Sequence, residues 1–412
     1  MSGSDAARRA DEPGWLTELR RRALEVLAEP STVAWFADAV PDLDLRGELD
    51  RHLALARGGA RVRATEVAHA ESSERSRSLA DLGVVCCSLD DAVHEHPDLV
   101  EEHLGSVVGP DADPFAALNT ALWTGGTFVH VPPGVEVDLP VQTASSLGPG
   151  QPGRFERTLV VAEVGASVTC VAGCSAPIYT DRSTQSAVTE VVVRPRGRVV
   201  HATVQNWSAH VDQFATKRAR VEAGGSAEWI DGNIGARRTV DRTGVELVGD
   251  GASGGAWSVA AAGSGQQRRA HVDVVHAAPN TTATVVATSI TVDDGRSTGD
   301  VHVIAEPTAA ATRTDVTTDR LHADDVTTAA NAASAWAVSA PHADVGDVRV
   351  SHHTGHITGS QRFYLMSRGL SVDEADATIV DGFIEPVTSR LAMEYAVEWS
   401  RLVELTLRGS VG

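Results

Sequence analysis

The sequence predicts a mainly β protein built around a parallel β-helix, a solenoid of stacked short strands, with helical regions at both ends. Residues 154–357 contain short stretches in which apolar and polar residues alternate, such as Ser167–Val171 and Arg198–Val204, and a period of two is typical of half-buried strands. Small residues suited to corners recur at steps of roughly 27 residues, within the range of stacked repeats. These corner residues are Gly165, Gly197, Gly225, Gly251, Asn280 and Pro307.

A β-sandwich is the main alternative, because it also consists of short alternating strands separated by turns. Aromatic residues make up 4% of the chain, and this scarcity favours thin layers filled by small and β-branched side chains over a thick core. The 412 residues would ordinarily form roughly two or three domains. A solenoid grows by stacking instead, so one long array is the preferred interpretation.

Charge and composition argue against several classes of protein. The formal net charge is -20 and the single lysine is Lys217, whereas nucleic-acid binding needs a basic surface. Neither a membrane-spanning apolar stretch nor the apolar segment of a secretory signal is found in the sequence. Four cysteines in so long a chain do not make a disulfide framework. We therefore expect a cytoplasmic protein with reduced thiols that binds neither nucleic acid nor membrane.

Short helices and strands are predicted before the solenoid. A first helix begins at Pro13 and ends at Pro30, a second is capped by Ser88, a third spans His96–Leu104 and a fourth spans Phe115–Trp123. In all but the second, proline lies in or beside the first turn, where its missing N–H costs nothing. The apolar, β-branched segments before the solenoid predict strands. These segments are Val84–Cys87, Thr127–Val131 and Val135–Leu139.

Beyond Gly359 the apolar period becomes helical. Ser371 and Glu374 form a capping box, and the helix that follows is predicted to end before Pro386. Its apolar face comprises Val372, Ala375, Ile379 and Phe383. A second helix is predicted after the proline. The predicted organisation is an N-terminal helical region over residues 1–105, a β-helix core over 106–365 and a C-terminal helical region over 366–412.

Cysteines and histidines supply candidate metal ligands in two places. Cys170 and Cys174 would lie on one face of a strand but well apart, and zinc sites usually use tighter pairs. His352, His353 and His356 form the densest histidine cluster, and imidazole and thiolate are ligands of zinc and iron. The alternative interpretation is that the cysteines are core residues and the histidines lie on an exposed loop.

Paired aspartates raise a different possibility. In the cleft of a β-helix, pairs such as Asp293–Asp294 and Asp324–Asp325 would suggest a polysaccharide lyase or glycosidase. The shortage of aromatic residues that could stack on sugar rings argues against that class. The sequence has no nucleophile-elbow, zinc-protease or P-loop motif, so we expect any nucleotide hydrolysis to come from a partner.

A series of motifs from residue 83 to the C-terminus carries a resemblance to a known family. The motifs are Gly83–Val85, His96–Val100, Phe115–Gly126, Val131–Val135, Arg154–Leu159, Gly173–Pro177, Val204–Trp207, Ser367–Gly369 and Gly409–Gly412. In their number and order they resemble the SufB/SufD family, the scaffold subunits of the SUF iron–sulfur cluster assembly machinery. The resemblance implies a right-handed parallel β-helix with helical ends.

The resemblance also implies partners. Family members form a complex with SufC, an ABC-type ATPase that docks on the C-terminal helical region, which here is Leu370–Leu407. The residues expected to contact it are Leu370, Val372, Ala375, Ile379 and Phe383. Because SufB and SufD pair through the β-helix, we expect a dimer with a SufB-like or SufD-like paralogue or with a second copy of this chain.

A transient iron–sulfur cluster at the subunit junction is implied as well. His352 matches the histidine that SufD contributes there, and we expect Cys174 and His353 as further metal ligands. By the same resemblance, SufB has cysteines at the position of Thr318 and near Val221, so the ligands of the family are only partly present. We therefore expect the isolated chain not to hold a stable cluster.

The sequence thus predicts a subunit of an iron–sulfur cluster assembly complex that combines SufB-like and SufD-like motifs. Its ATP hydrolysis would be carried out by the SufC-type partner rather than by residues of its own. The alternative is a metal-binding relative of SufB and SufD that has been recruited to another pathway, with an enzymatic activity of its own.

Overall fold

The computed structural model describes residues 12–29, 47, 49–50, 78–146, 153–175, 182–323, 334–341, 346–391 and 393–407. The N-terminal helices are α1 (Gly14–Ala28), α2 (Leu89–Glu95), α3 (Pro97–His103) and α4 (Pro114–Leu122). The C-terminal helices are α5 (Gly359–Met366), α6 (Val372–Thr388) and α7 (Met393–Leu407).

The described residues contain seventeen strands, which lie between and beside these helices. The first nine are β1 (Val85–Ser88), β2 (Thr127–Val131), β3 (Val141–Ser146), β4 (Gly153–Ala162), β5 (Ser167–Ser175), β6 (Ser183–Val193), β7 (Arg198–Asn206), β8 (Val211–Val221) and β9 (Ser226–Ile234). The rest are β10 (Arg238–Leu247), β11 (Ser253–Ala262), β12 (Gln267–His276), β13 (Thr282–Thr291), β14 (Arg296–Ala305), β15 (Thr312–His322), β16 (Ser334–Ser339) and β17 (Gly346–His356).

The strands form two sheets, and from β2 onward successive strands of the chain alternate between them. Sheet A has the order β1-β2-β4-β6-β8-β10-β12-β14-β16, and sheet B has the order β3-β5-β7-β9-β11-β13-β15-β17. From β2 onward the paired strands of sheet A run parallel, and so do those of sheet B. This topology is a parallel β-solenoid, as predicted, and not a sandwich of antiparallel sheets.

The coil length agrees with the recurring corners of the sequence. Arg238 lies beside Asp212 on one neighbouring strand and beside Gln267 on the other, so successive coils differ by 26 and 29 residues. At the corners Gly165 and Gly251 have φ angles of 69° and 66°, a left-handed conformation that glycine adopts without the steric cost of a Cβ. These corners therefore allow the chain to turn sharply from one sheet into the other.

Three large apolar cores hold the described parts of the chain together. The inward faces of both sheets enclose the first core, which includes Val168, Trp229 and Val285. The outward face of sheet A packs against α1, α2 and α4 through residues such as Phe214. The outward face of sheet B packs against α6 and α7 through Trp257 and Trp399, among others. The helical regions thus cover opposite faces of the solenoid.

A buried ion pair anchors the N-terminal helical region to sheet A. Arg157 and Glu190 are both fully buried, with their closest nitrogen and oxygen 2.8 Å apart. Glu190 also accepts hydrogen bonds from the backbone N–H groups of Gly105, Val107 and Val108. Every charged atom is therefore satisfied, which is the condition for tolerating charge in a core.

Two predicted elements differ from the structure. Val135–Leu139 is not a strand, since only Glu136 makes an isolated bridge, to Ser167, and β3 begins at Val141; prolines on both sides of the segment cannot donate to a ladder. Pro386 does not end a helix but lies inside α6. Because proline has no N–H, it cannot bond to the carbonyl four residues earlier. The helix nevertheless continues through Val387 and Thr388, both of which are buried.

The other predicted helix and strand boundaries agree to within a residue or two where they fall on described residues. The helices α3 and α4 begin at Pro97 and Pro114, and the Asp113 side chain caps α4 by accepting from the N–H of Ala116. Pro30 and the pair Asp324–Asp325 lie outside the described residues. None of the helices in the described ranges has the length and apolar character needed to cross a membrane.

Candidate functional site

A narrow cavity lies inside the solenoid, between the inward faces of the first coils. Its volume is about 50 Å³, room for a few water-sized groups. Its lining is more polar than the core on either side. The polar and ionisable lining residues are Thr143, Ser145, Glu156, Cys174, Gln185, His201, Thr203, Gln205, Gln213 and Lys217.

Several polar atoms of this lining lack a protein partner among the described residues. They are Gln185 Oε1, His201 Nδ1 and Gln213 Oε1, each of which is buried. Buried polar groups are normally hydrogen-bonded, so these atoms fit a cavity that holds water or a small polar guest. Burial, with a smaller contribution from Lys217, lowers the pKa of His201 to about 3, so its imidazole is neutral at physiological pH.

Cys174 lines the cavity from β5. Burial, with a contribution from Glu156, raises the pKa of its thiol to about 12. The thiol is therefore protonated near neutral pH and is not a ready nucleophile. Cys170, on the same face of β5, is a buried core residue whose pKa burial raises to about 12. Four residues of strand separate the two by roughly 13 Å, so they cannot share one metal ion.

The lysine of the chain, Lys217, lies at the cavity wall and is buried. Its ammonium is 2.7 Å from Asp231 and 2.9 Å from Asp241, and Asn233 also donates to Asp241 over 3.2 Å. Burial lowers the pKa of Lys217, but the two carboxylates more than offset this effect and the pKa is raised overall. Burial raises the pKa of Asp241. We call these residues the Lys217 cluster.

The candidate histidine ligands lie at the far end of sheet B, on its last strand, β17. His352 is exposed, and its Nδ1 lies 2.5 Å from the hydroxyl of Thr318, its ladder neighbour on β15. The next residue points to the other face, where His353 Nδ1 is 2.7 Å from Asp319. Thr318, the position at which the family resemblance implies a cysteine in SufB, is thus in direct contact with His352.

The structure does not bring Cys174 and His352 together. Six steps of sheet B separate β5 from β17, and strands lie about 4.8 Å apart, so the two residues are roughly 29 Å from each other. The remaining cysteines, Cys86 and Cys87, are on β1, the first strand of sheet A. We call the end of the solenoid that carries β17 (Gly346–His356) the β17 end. All four thiols lie at the opposite end.

The residues expected to contact an ATPase divide into two groups. Ala375 is fully buried, and Ile379 and Phe383 pack against the core between sheet B and the C-terminal helices. Val372 is 46% exposed, and Leu370 is half-buried. The face predicted for partner binding is thus largely the face that attaches α6 to the solenoid.

Other apolar side chains of the C-terminal helices are exposed instead. Phe363 and Met393 are 74% and 83% exposed. Among the described residues of this region, the large exposed apolar side chains are Phe363, Tyr364, Met366, Val372, Met393 and Val397, which we call the outer apolar set. Large exposed apolar side chains mark an interaction surface where they form a contiguous patch.

Sequence reasoning missed the Lys217 cluster and, apart from Val372, the outer apolar set. The signal for the first was available, since a single lysine in a chain that otherwise uses arginine is unusual. The signal for the second was weaker, because Phe363, Tyr364 and Met366 lie on the short helix α5. Which side of so short a helix faces solvent depends on how it packs, not on its own period.

Comparisons with known proteins agree with this fold. The family model described as "SUF system FeS cluster assembly, SufBD core domain" matches residues 144–383, and the "SufBD protein N-terminal region" model matches residues 66–143.

Full-length relatives extend the similarity over most of the chain. The iron–sulfur cluster assembly protein SufB of Bacillus subtilis is 40% identical over 336 residues, which cover 80% of this chain and 70% of the relative. An iron–sulfur cluster assembly SufBD family protein of Staphylococcus haemolyticus is 39% identical over 342 residues, 82% of this chain and 71% of the relative. A core-domain match over more than half of the residues and relatives this similar establish the assignment: the chain belongs to the SufBD family of SUF iron–sulfur cluster assembly proteins.

Proposed function

We propose that this chain is a SufBD subunit that handles a transient iron–sulfur cluster at the β17 end, together with a second SufBD chain and a SufC-type ATPase. The cluster is the cargo of the complex. The observation that carries the proposal is the contact between His352 and Thr318, which puts an exposed imidazole at the open end of the solenoid. Imidazole is an established ligand of iron in such clusters.

The edge of sheet B supports pairing with a second chain at that end. β17 is the last strand in the order of sheet B, and no other described strand pairs with its outer edge. An uncovered edge offers a row of N–H and C=O groups to another chain. A second SufBD chain, whether a paralogue or an identical copy, would cover this edge and bring further ligands to His352.

His353 is the second candidate ligand at this end. Its Nδ1 is engaged by Asp319 at 2.7 Å, while the imidazole is 69% exposed. Hydrogen bonding to a carboxylate fixes the orientation of a histidine and raises the basicity of its other nitrogen, as is common around metal ligands. His352 and His353 point to opposite faces of β17, and Cys174 is too far from either to share a ligand set with it in one chain, so we assign Cys174 to the cavity.

The outer apolar set supports binding of the ATPase. It lies on α5, on α7 and at the first residue of α6, within or next to the region at which the family resemblance implies docking. We therefore transfer the main docking role from Ile379 and Phe383, which hold α6 to the solenoid, to exposed residues such as Phe363 and Met393.

Docking is tested by co-purification of a SufC-type ATPase with variants of the chain. Phe363→Asp combined with Met393→Asp should abolish the complex while the circular dichroism spectrum remains that of the wild type, because charge enters an apolar contact without a partner. Leu139→Asp is the matched control, since Leu139 is 58% exposed but lies beside β3. Complex formation by the folded double variant at the wild-type level would refute this docking surface.

The cluster site is tested by anaerobic reconstitution with iron and sulfide. The isolated chain should give weak or no cluster absorbance, since three or four ligands, mostly thiolates, are usual and the β17 end has no thiolate of this chain. Addition of a SufB-type partner should give a cluster whose yield falls with His352→Ala and is unchanged by Cys86→Ala. A stoichiometric cluster in the isolated chain that is insensitive to His352→Ala would show that the cluster is held elsewhere.

A further inference from the structure

Two histidines and two aspartates form a compact group on the outward face of sheet A, outside the cavity and on the sheet opposite to the one that carries β17. His271 and Asp273 belong to β12, and Asp300 and His302 belong to β14. In the ladder His271 lies beside Asp300, and Asp273 lies beside His302. Because residues two apart on a strand share a face, the four side chains form a square with like residues on its diagonals.

The carboxylate of Asp300 lies between the two imidazoles. His271 Nδ1 is in contact with Asp300 Oδ2, and His302 Nε2 is 3.3 Å from the same oxygen. One potential ligand atom from each of these three residues lies within 4.8 Å of the others. The imidazole rings are 4.7 Å apart and nearly perpendicular. Two nitrogens and one oxygen thus converge on one small space.

The fourth residue, Asp273, contacts the ring nitrogen of His271 that does not face Asp300. His271 Nε2 is 2.8 Å from Asp273 Oδ1, on the opposite side of the ring from Nδ1. The other carboxylate oxygen of Asp273 is 3.6 Å from Arg218. A histidine that ligates a metal almost always donates its other N–H to a carboxylate or carbonyl, which fixes the tautomer and the ring orientation. Asp273 provides this support for His271.

We propose that His271 Nδ1, His302 Nε2 and Asp300 bind a divalent first-row transition-metal ion, of which Zn²⁺ and Fe²⁺ are the best matched. Two imidazoles and one carboxylate are a ligand set that both ions accept. Three protein ligands leave the remaining positions to water or to an incoming ligand. The side chain of His302 is 44% exposed and that of Asp300 is 27% exposed, so an ion reaches the site directly from solvent.

A simple ion-pair network is the competing explanation of the same residues. Arg218 lies close to Asp273, and Arg242 and Arg269 are near enough to act on the aspartates electrostatically, so the surroundings are not purely anionic. An ion pair would need only one imidazole between the two carboxylates. His302 is not needed for such an ion pair, yet its Nε2 is directed at the oxygen that His271 already contacts. A metal site accounts for this second imidazole.

The site is tested by titrating the full chain with Zn²⁺ in calorimetry and with Co²⁺ in absorption spectroscopy. The titrations use a background in which His352→Ala and His353→Ala remove the candidate ligands of the β17 end. We expect one ion per chain at this site. The Co²⁺ spectrum should lack a sulfur charge-transfer band, because no cysteine is among the ligands; such a band would assign the ion to the thiols instead and overturn the proposal.

Single variants then separate ligands from supporting residues. His302→Ala and Asp300→Ala each remove a ligand and should weaken binding by more than about 100-fold, whereas Asp273→Asn removes the outer support and should weaken it by roughly 10- to 100-fold. His94→Ala, an exposed histidine on α2, is the control and should leave binding unchanged. If the background protein binds no Zn²⁺ or Co²⁺, or binds them equally after His302→Ala, the group is an ion-pair network only and the proposal fails.

Discussion

Replacing Lys217 by methionine should destabilise the centre of the solenoid selectively. Methionine is close to lysine in length but carries no charge, so Lys217→Met removes the ammonium that lies 2.7 and 2.9 Å from Asp231 and Asp241. The side chains of both aspartates are at most 6% exposed and would lose their cation without gaining water. Removing one partner of a buried ion pair costs about 3–5 kcal/mol.

This cost should appear as faster hydrogen exchange of the strands that surround the cluster. At 1.36 kcal/mol per tenfold change, the loss corresponds to exchange that is about 10²- to 10⁴-fold faster in β8, β9 and β10. Because a solenoid is stabilised mainly by contacts between neighbouring coils, peptides from β14 and β15 should change much less and serve as an internal control. Hydrogen-exchange mass spectrometry on the intact chain measures both regions at once.

A compensated variant tests the stated cause. Lys217→Met combined with Asp231→Asn and Asp241→Asn removes all the charges, and such neutral replacements are often tolerated. Most of the lost protection should therefore return. Two results would refute the claim that Lys217 neutralises buried charge. One is hydrogen exchange of β8, β9 and β10 in the single variant that stays within tenfold of the wild type. The other is a triple variant whose exchange is as fast as that of the single variant.

Two further predictions concern the neighbouring coils. Burial lowers the pKa of His201 to about 3, so the imidazole binds a proton more readily in the unfolded chain than in the folded one. The contribution of His201 to the free energy of unfolding is therefore fully present above pH ~6.5 and falls below it, by about 2 kcal/mol at pH 5. Hydrogen exchange of β7 at pH 7.5 and pH 5 should reveal this loss, which His201→Gln should remove; an equal loss in the variant would contradict it. Gly232→Ala would place a Cβ 1.6 Å from Trp399 Nε1, so α7 should lose protection from hydrogen exchange. In the control variant Gly355→Ala the new Cβ would lie 3.8 Å from its nearest neighbour, and α7 should stay protected. An α7 that is equally protected in Gly232→Ala would contradict the packing of Trp399 against β9.

The stacking of strands was predictable because two local signals agreed. Alternation of period two marks each strand, and corner residues such as Gly165 and Gly251 mark the ends of coils. Neither signal depends on which residues face each other across the stack. The pattern therefore predicted a parallel solenoid without fixing the register between one coil and the next.

The residues that meet across coils could not be predicted, because coil length varies. Asp212 and Arg238 are ladder neighbours 26 residues apart, whereas Thr282 and Arg313 are 31 apart. A change of a single residue moves a side chain to the opposite face. The meeting of His271 with Asp300, 29 residues later, has for this reason no signature in the sequence, although both residues lie on strands that alternate clearly.

The helical face of α6 shows a different limit. The spacing of Ala375, Ile379 and Phe383 fits one face of a helix, yet the most deeply buried apolar residues of α6 also include Val380 and Ile384. The apolar stripe of a helix is wide, so the periodicity alone does not distinguish which of two adjacent apolar residues is the more deeply buried. The position of sheet B beneath the helix decides which of them attach it and which remain for a partner.

The location of the cysteines constrains how a cluster can be held. Cys86 and Cys87 lie on β1 and Cys170 and Cys174 lie on β5, while His352 is on β17, six strands of sheet B away from β5. The ladder keeps this separation fixed, since moving one strand would break hydrogen bonds with both neighbours. If the cluster forms at the β17 end, as proposed, thiolate ligands must therefore come from the second chain. An identical second copy that meets this chain through β17 would bring another His352 but no cysteine, so the proposed site favours a paralogue that carries the thiol absent at Thr318.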